Sequence, residues 1–252
     1  MSKYLKEITN IAISIGKLIL ENGGEAYRVE DTIRRMCESK GIENVNVLSL
    51  PTGIFLSASY EDEEFTVVRR TFVNRIDLEI IDLCNTFSRE FINKEINYEA
   101  SLKRIKGIQD APSYSLFLSS IFAGMGGGFF TLLFKSTALE FFLAFIISFI
   151  VSSILSRIKV GLYMKHLIGG FLVALLSFTA SAIFLKVSMD YLVVGSIMPL
   201  VPGVAMVNSI RDILNGDLVS GMGKMTEAIV VATSIAFGVG SVLGVLYFME
   251  VI

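Results

Sequence analysis

The sequence predicts a membrane protein, an all-α transmembrane bundle of five helices preceded by a small cytoplasmic α+β domain. Three observations lead there. Of 252 residues, 53% are hydrophobic and only 18% charged, a balance tilted away from a water-soluble domain. The charge is uneven, because 15 of the 22 Lys and Arg and 18 of the 24 Asp and Glu lie in Met1–Pro112. Beyond Pro112 the chain is a series of apolar runs near the length of about 20 residues that a spanning helix needs. The domains are therefore placed at residues 1–110 and 111–252. A formal net charge of −2 gives no basic footprint for nucleic acid.

The charged part opens with Ile8, Ala12, Ile15, Leu18 and Ile19 at helical spacing, ended by Asn22, Gly23 and Gly24. A second helix over 25–39 keeps the period with Val29, Ile33, Met36 and Cys37, and Gly41 supplies its stop. Glu25, Arg28, Glu30, Asp31, Arg34 and Arg35 read mostly as its solvated face, with a binding role as the alternative. From Asn44 the period becomes two: Val45 and Val47, Ile54 and Leu56, then Phe65 and Val67. Pro51-Thr52-Gly53 and Glu61-Asp62-Glu63-Glu64 are the turns, so a small antiparallel meander is expected. The first turn could also touch a partner or substrate; the acidic one reads as a solvated hairpin tip rather than a cation site. Ile76, Ile80, Leu83 and Phe87 restore the helical period, and a further helix is expected over 98–108.

Lys17 interrupts the first apolar run and no small-residue cleavage site comes after it, so no cleavable signal is expected and 1–110 is read as cytoplasmic. In a reducing compartment Cys37 and Cys84 read as core side chains. Nothing in this part pairs a nucleophile with a base or builds a phosphate loop or metal cluster, so neither an enzyme, a metal nor a cofactor is expected.

The five spans are placed at 113–134, 137–155, 166–185, 191–214 and 222–248. The second is weakened by Glu140 near its start and by the short Lys135-Ser136 link. Arg157, Lys159, Lys165, Arg211 and Lys224 on one side against Lys135 and Lys186 on the other put the N-terminus inside and the C-terminus outside. Gly124/Gly128 and Gly240/Gly244 have the spacing that lets helices approach closely, and the glycines near Gly126 could alternatively unwind the first span. His166 begins a span at the water boundary, where it reads as an interfacial histidine with a proton relay as the lesser alternative.

The stretch over 199–228, PLVPGVAMVNSIRDILNGDLVSGMGKMTEA, is the candidate substrate or proton path. Pro199, Pro202 and Gly203 break an apolar run, which frees carbonyls about one turn earlier; the simpler reading is a kink. Beyond them stand Asn208, Arg211, Asp212, Asp217, Lys224 and Glu227, where each charge costs about 2.5 to 3.5 kcal/mol at a bilayer centre. Asn208 and Asp212 share a helix face, with Arg211 beside them, and Lys224 and Glu227 are three apart on the next helix. Asn215-Gly216-Asp217 is a turn that brings the two helices together at the cytoplasmic end. Arg211 can hold a carboxylate, and Asp212 or Glu227 can bind an ammonium or exchange a proton. Asp217 and Lys224 could equally be interfacial anchors.

Two motifs resemble the threonine/serine exporter family. One runs over 22–57, NGGEAYRVEDTIRRMCESKGIENVNVLSLPTGIFLS, and the other over 202–228, PGVAMVNSIRDILNGDLVSGMGKMTEA. The resemblance implies a cytoplasmic domain before five spans, export of small hydroxy amino acids, and a related branch that exports dicarboxylates such as succinate. It also implies a split type working beside a second small membrane subunit, in a bacterial-type plasma membrane; a homo-oligomer is expected beside or instead of that subunit. Pro202, Gly203, Asn208, Arg211, Asp212, Gly216, Asp217, Gly221 and Glu227 fall on its membrane motif. The family often has arginine where this chain has Lys224. The expected function is a proton-driven exporter subunit for threonine, serine or a dicarboxylate; the alternative is a membrane-anchored sensor or assembly subunit whose cytoplasmic domain binds a ligand or partner.

Overall fold

The computed structural model describes residues 3–61, 63–72, 76–94, 97–112, 114–134 and 136–249. Asp62, Ser113 and Lys135, expected at a turn, a span start and an outer loop, lie outside them. The chain divides into two compact units, Met1–Pro112 with Val204–Thr226, and Ser113–Gly203 with Glu227–Ile252.

In the first unit, helix α1 (Lys3–Glu21) is followed by α2 (Ala26–Glu38). The reversal between them passes through Gly23 at φ 90°, a left-handed backbone that favours glycine. Strands β1 (Glu43–Leu50), β2 (Gly53–Tyr60) and β3 (Glu63–Arg70) form an antiparallel meander in that order. Register pairs Val47 with Leu56 and Leu56 with Val67, so the period-two apolar residues share one face. That face, with Ile54, Leu56 and Ala58 buried, joins the core of α1 and α2. Helices α3 (Leu78–Asn93) and α4 (Tyr98–Gln109) complete it, capped by Asp77 accepting from the Ile80 amide and Asn97 accepting from the Glu99 amide. Phe87 and Phe91 of α3 and Leu5, Ile11 and Ile15 of α1 are fully enclosed, each contributing about 1.5–3 kcal/mol of burial. Cys37 and Cys84 are free thiols in this core, and burial pushes each up to about 12.

The second unit is built from α5 (Leu116–Leu132), α6 (Ala138–Leu155), α7 (Leu162–Ile183), α8 (Met189–Ile197) and the part of α10 (Leu218–Phe248) from Glu227 on. A 3-10 turn, Met198–Leu200, ends α8, and α9 (Gly203–Leu214) begins after a break. Proline at 199 and 202 accounts for the break, since neither can donate to the helical ladder. Among the described residues three helices, α6, α7 and α10, are long and apolar enough to cross a membrane, and a fourth span results if the bent pair counts as one. The first expected span is a shorter apolar helix of 17 residues.

Glu140, which counted against the second span, is its cap. Thr137 and Glu140 form a capping box, and Glu140 also accepts from the Ser188 amide at 2.8 Å, so the buried carboxylate is satisfied. The glycine expectations divide. A Cβ on Gly124 would lie 2.9 Å from the Phe145 carbonyl and one on Gly128 3.1 Å from that of Phe141, so α5 and α6 do approach through them. The Gly240/Gly244 pair is a correction: a Cβ on either meets nothing within 4 Å. Small-residue spacing is necessary for close approach, but it does not supply the neighbour.

Candidate functional site

The charged segment Val204–Thr226 folds onto the start of α2 within the first unit. Gly216, at φ 96°, makes the turn between α9 and α10, and the Asp217 amide closes on the Asp212 carbonyl at 2.9 Å. This brings Ser209 and Ile213 against Gly221, where a Cβ would lie 2.7 Å from the Ser209 carbonyl. The expected meeting of the two helices is therefore seen, and it sets Lys224 opposite Asp212.

The Asp212 carboxylate is wholly buried and accepts twice. Lys224 Nζ donates to it at 2.8 Å and the Ala26 amide at 2.9 Å. Ala26 is the first residue of α2, so the carboxylate lies at that helix's positive end, where unpaired amides and the macrodipole favour an anion. Lys224 also donates to the Gly24 carbonyl at 2.9 Å, and Asn208 Nδ2 to the Gly23 carbonyl at 2.9 Å. Arg211 Nη1 donates to Glu25 Oε1 at 2.8 Å, and Arg28 stands on the other oxygen at 3.3 Å. The carbonyls of residues 23 and 24, the Glu25 carboxylate and the Ala26 amide thus each have a partner.

Two further contacts fix the sheet to the same place. Ser220 Oγ donates to the Ser49 carbonyl at 2.5 Å, and the Ser49 amide donates to Glu30 Oε1 at 2.7 Å. The Pro51 ring reaches toward Gly223, where a Cβ would sit 3.2 Å from its Cγ. The Pro51-Thr52-Gly53 turn is thus also a contact surface.

Glu25 and Glu30 correct the sequence reading, which set them on a solvated face. Glu25 is 5% exposed. Burial pushes its carboxyl up, but the Arg211 hydrogen bond and the Arg28 charge outweigh this and hold it below the usual carboxylate range. Burial raises Glu30, helped by the Asp217 and Asp212 charges against the Ser49 amide; burial and the Asp212 charge also raise Asp217. The available signal was the NGGE run at a helix start, where an acidic residue complements the dipole. Spacing alone could not reveal its cation, 186 residues away.

Of the remaining expected residues, Asn208, Arg211, Asp212 and Lys224 converge here, and Asp217 stands beside them. Pro199, Pro202 and Gly203 form the break between α8 and α9. Glu227 lies half-buried on α10 with no hydrogen bond or ion pair among the described residues. Within those residues no group of three or more His, Cys, Asp or Glu could hold a metal ion.

Comparisons with curated proteins and with solved structures gave no match. The family model for threonine/serine exporters, ThrE, matches residues 10–246, which takes in most of α1, the 22–57 motif, the apolar helices up to the last turn of α10 and the 202–228 motif. Its members are transporters rather than enzymes, in keeping with the apolar helices of a multi-pass membrane protein. The chain belongs to the threonine/serine exporter family.

Proposed function

We propose that this chain is a secondary-transporter subunit that exports threonine and serine across the plasma membrane, drawing on the proton gradient and working with a second small membrane subunit. The first unit faces the cytoplasm and the C-terminus lies outside. The observation that supports this reading most is the family match over residues 10–246, because it covers the α+β unit and the apolar helices together.

In this reading the cluster at Asp212 is a latch. Asp212 carries a charge opposite Lys224 and beside Arg211, with the Glu30 and Asp217 carboxyls near it. A proton on Asp212 removes one half of the buried pair, weakens the hold on residues 23–26, and frees α9 to move about the Pro199–Gly203 break. Glu227, a carboxyl on an apolar helix with no partner among the described residues, is the second proton carrier.

The test is efflux of labelled threonine, serine and succinate from vesicles carrying the chain, with and without the second subunit. Threonine and serine leave only when both are present, and Asp212→Asn abolishes export while the chain stays folded. Succinate leaving instead would move the chain to dicarboxylates, and no efflux from folded protein would favour a sensor.

A further inference from the structure

Within the second unit a cavity of about 250 Å³ opens between α5, α6, α7 and the 3-10 turn after α8. On the scale of about 30 Å³ per liquid water this is room for a small amino acid, and it lies just below the usual range of drug-sized pockets. Its α6 wall carries Ser148, Ser152 and Ser156, four residues apart and so on one helix face. At the other end stand Lys165 and His166, from the first turn of α7.

The chemistry of the two ends differs. The Lys165 ammonium has no ion pair or hydrogen bond among the described residues, and no Asp or Glu lines the cavity. His166 commits Nδ1 to the Leu162 carbonyl at 2.8 Å, which leaves Nε2 available. The inner end is an acceptor site made by proline. In a turn of i+3 bonds the amide of residue 199 would close on the Ser196 carbonyl, and Pro199 has none. That carbonyl, on a residue 1% exposed, accepts from the Ser148 hydroxyl at the long distance of 3.4 Å. So long a bond is readily exchanged for a charged donor.

We infer that this cavity is a binding site for a zwitterionic hydroxy amino acid, with Lys165 on the carboxylate, the Ser196 carbonyl on the ammonium, and the Ser148 and Ser152 hydroxyls on the substrate hydroxyl. The inference rests on the exporter reading for the identity of its ligand. A single fixed cation opposite an acceptor carbonyl fits one positive and one negative group; a dicarboxylate would place its second charge against the carbonyl.

The test uses Ser156→Cys, at the mouth and outside the proposed contacts, in the full chain in membrane vesicles that also carry the second subunit. Cys37 and Cys84 are enclosed in the first unit's core and give no background with a maleimide. Threonine at about ten times its dissociation constant slows labelling about tenfold, as occupancy requires, and threoninol, which lacks the carboxylate, does not. Adding Lys165→Gln removes the protection and Lys165→Arg restores it. Equal labelling rates with and without threonine, in a chain that still exports, overturn the site and leave the exporter reading standing. Protection in a chain that exports nothing does the reverse.

Discussion

Removing Lys224 tests the latch most directly. In Lys224→Met the Asp212 carboxylate keeps the Ala26 amide but loses its buried cation, and it remains near the Asp217 and Glu30 carboxyls. The side chains of the pair are 11% and 0% exposed, so water cannot take the place of the ammonium. Breaking a buried pair from one side costs about 3–5 kcal/mol. At about 1.4 kcal/mol per factor of ten, amide exchange at Gly24 and in the first turn of α2 should quicken by about two to three and a half decades. Asp212→Asn costs less, because an amide oxygen still accepts from Ala26 and Lys224 retains the Gly24 carbonyl. The double variant is the sharper measurement. With no charge left stranded it should open less than the sum of the singles, with a coupling near the upper end of about 0.5–3 kcal/mol. Hydrogen exchange of the full chain in membranes or detergent reads all four forms. Strictly additive effects, or unchanged exchange in Lys224→Met, would refute the idea that this pair holds residues 23–26.

Two other perturbations use the same geometry. The Glu25 carboxyl titrates below its ordinary value, so its contribution is complete above the unfolded value of about 4.3 and is lost as pH falls through the lower folded value. Acid should therefore open residues 23–26 in the parent chain, while Glu25→Gln opens them at neutral pH by about 1 kcal/mol, because Arg211 is 57% exposed, and lacks that acid step. Glu30, held above its ordinary value, acts with the opposite sign and at higher pH, so exchange measured in Glu30→Gln separates the two. In the second unit, a Cβ at Gly170 would lie 2.5 Å from the Ile235 carbonyl, whereas one at Gly240 meets nothing. Gly170→Ala should destabilise the packing of α7 on α10 by about 1–3 kcal/mol in thermal unfolding and Gly240→Ala should leave it unchanged; equal effects would count against close packing of α7 on α10 at Gly170.

Much of this molecule is legible in its sequence because the controlling interactions are local. The 3.6 and 2.0 periods placed α1, α2, the meander and α3 where they occur, since each apolar face is set by residues a few positions apart. The family was legible for a related reason, as its motifs are contiguous runs that need no fold to be read. A local signal was nonetheless missed at Thr137-x-x-Glu140, where a capping box accounts for a charge that had counted against the span. Gly240 and Gly244 show the opposite case, a local spacing that found no neighbour. Only the tertiary structure decided what the charges of α9 and α10 do. Asp212 meets Ala26 across 186 residues and Lys224 meets Gly24 across 200, and a carboxylate's spacing does not say which distant amide or carbonyl it will face. The sequence alone determined that charges stand beside a broken apolar run. The fold decided that they clasp the entrance to α2, because only chain reversal at Gly23 and Gly216 brings those polar groups within hydrogen-bonding reach.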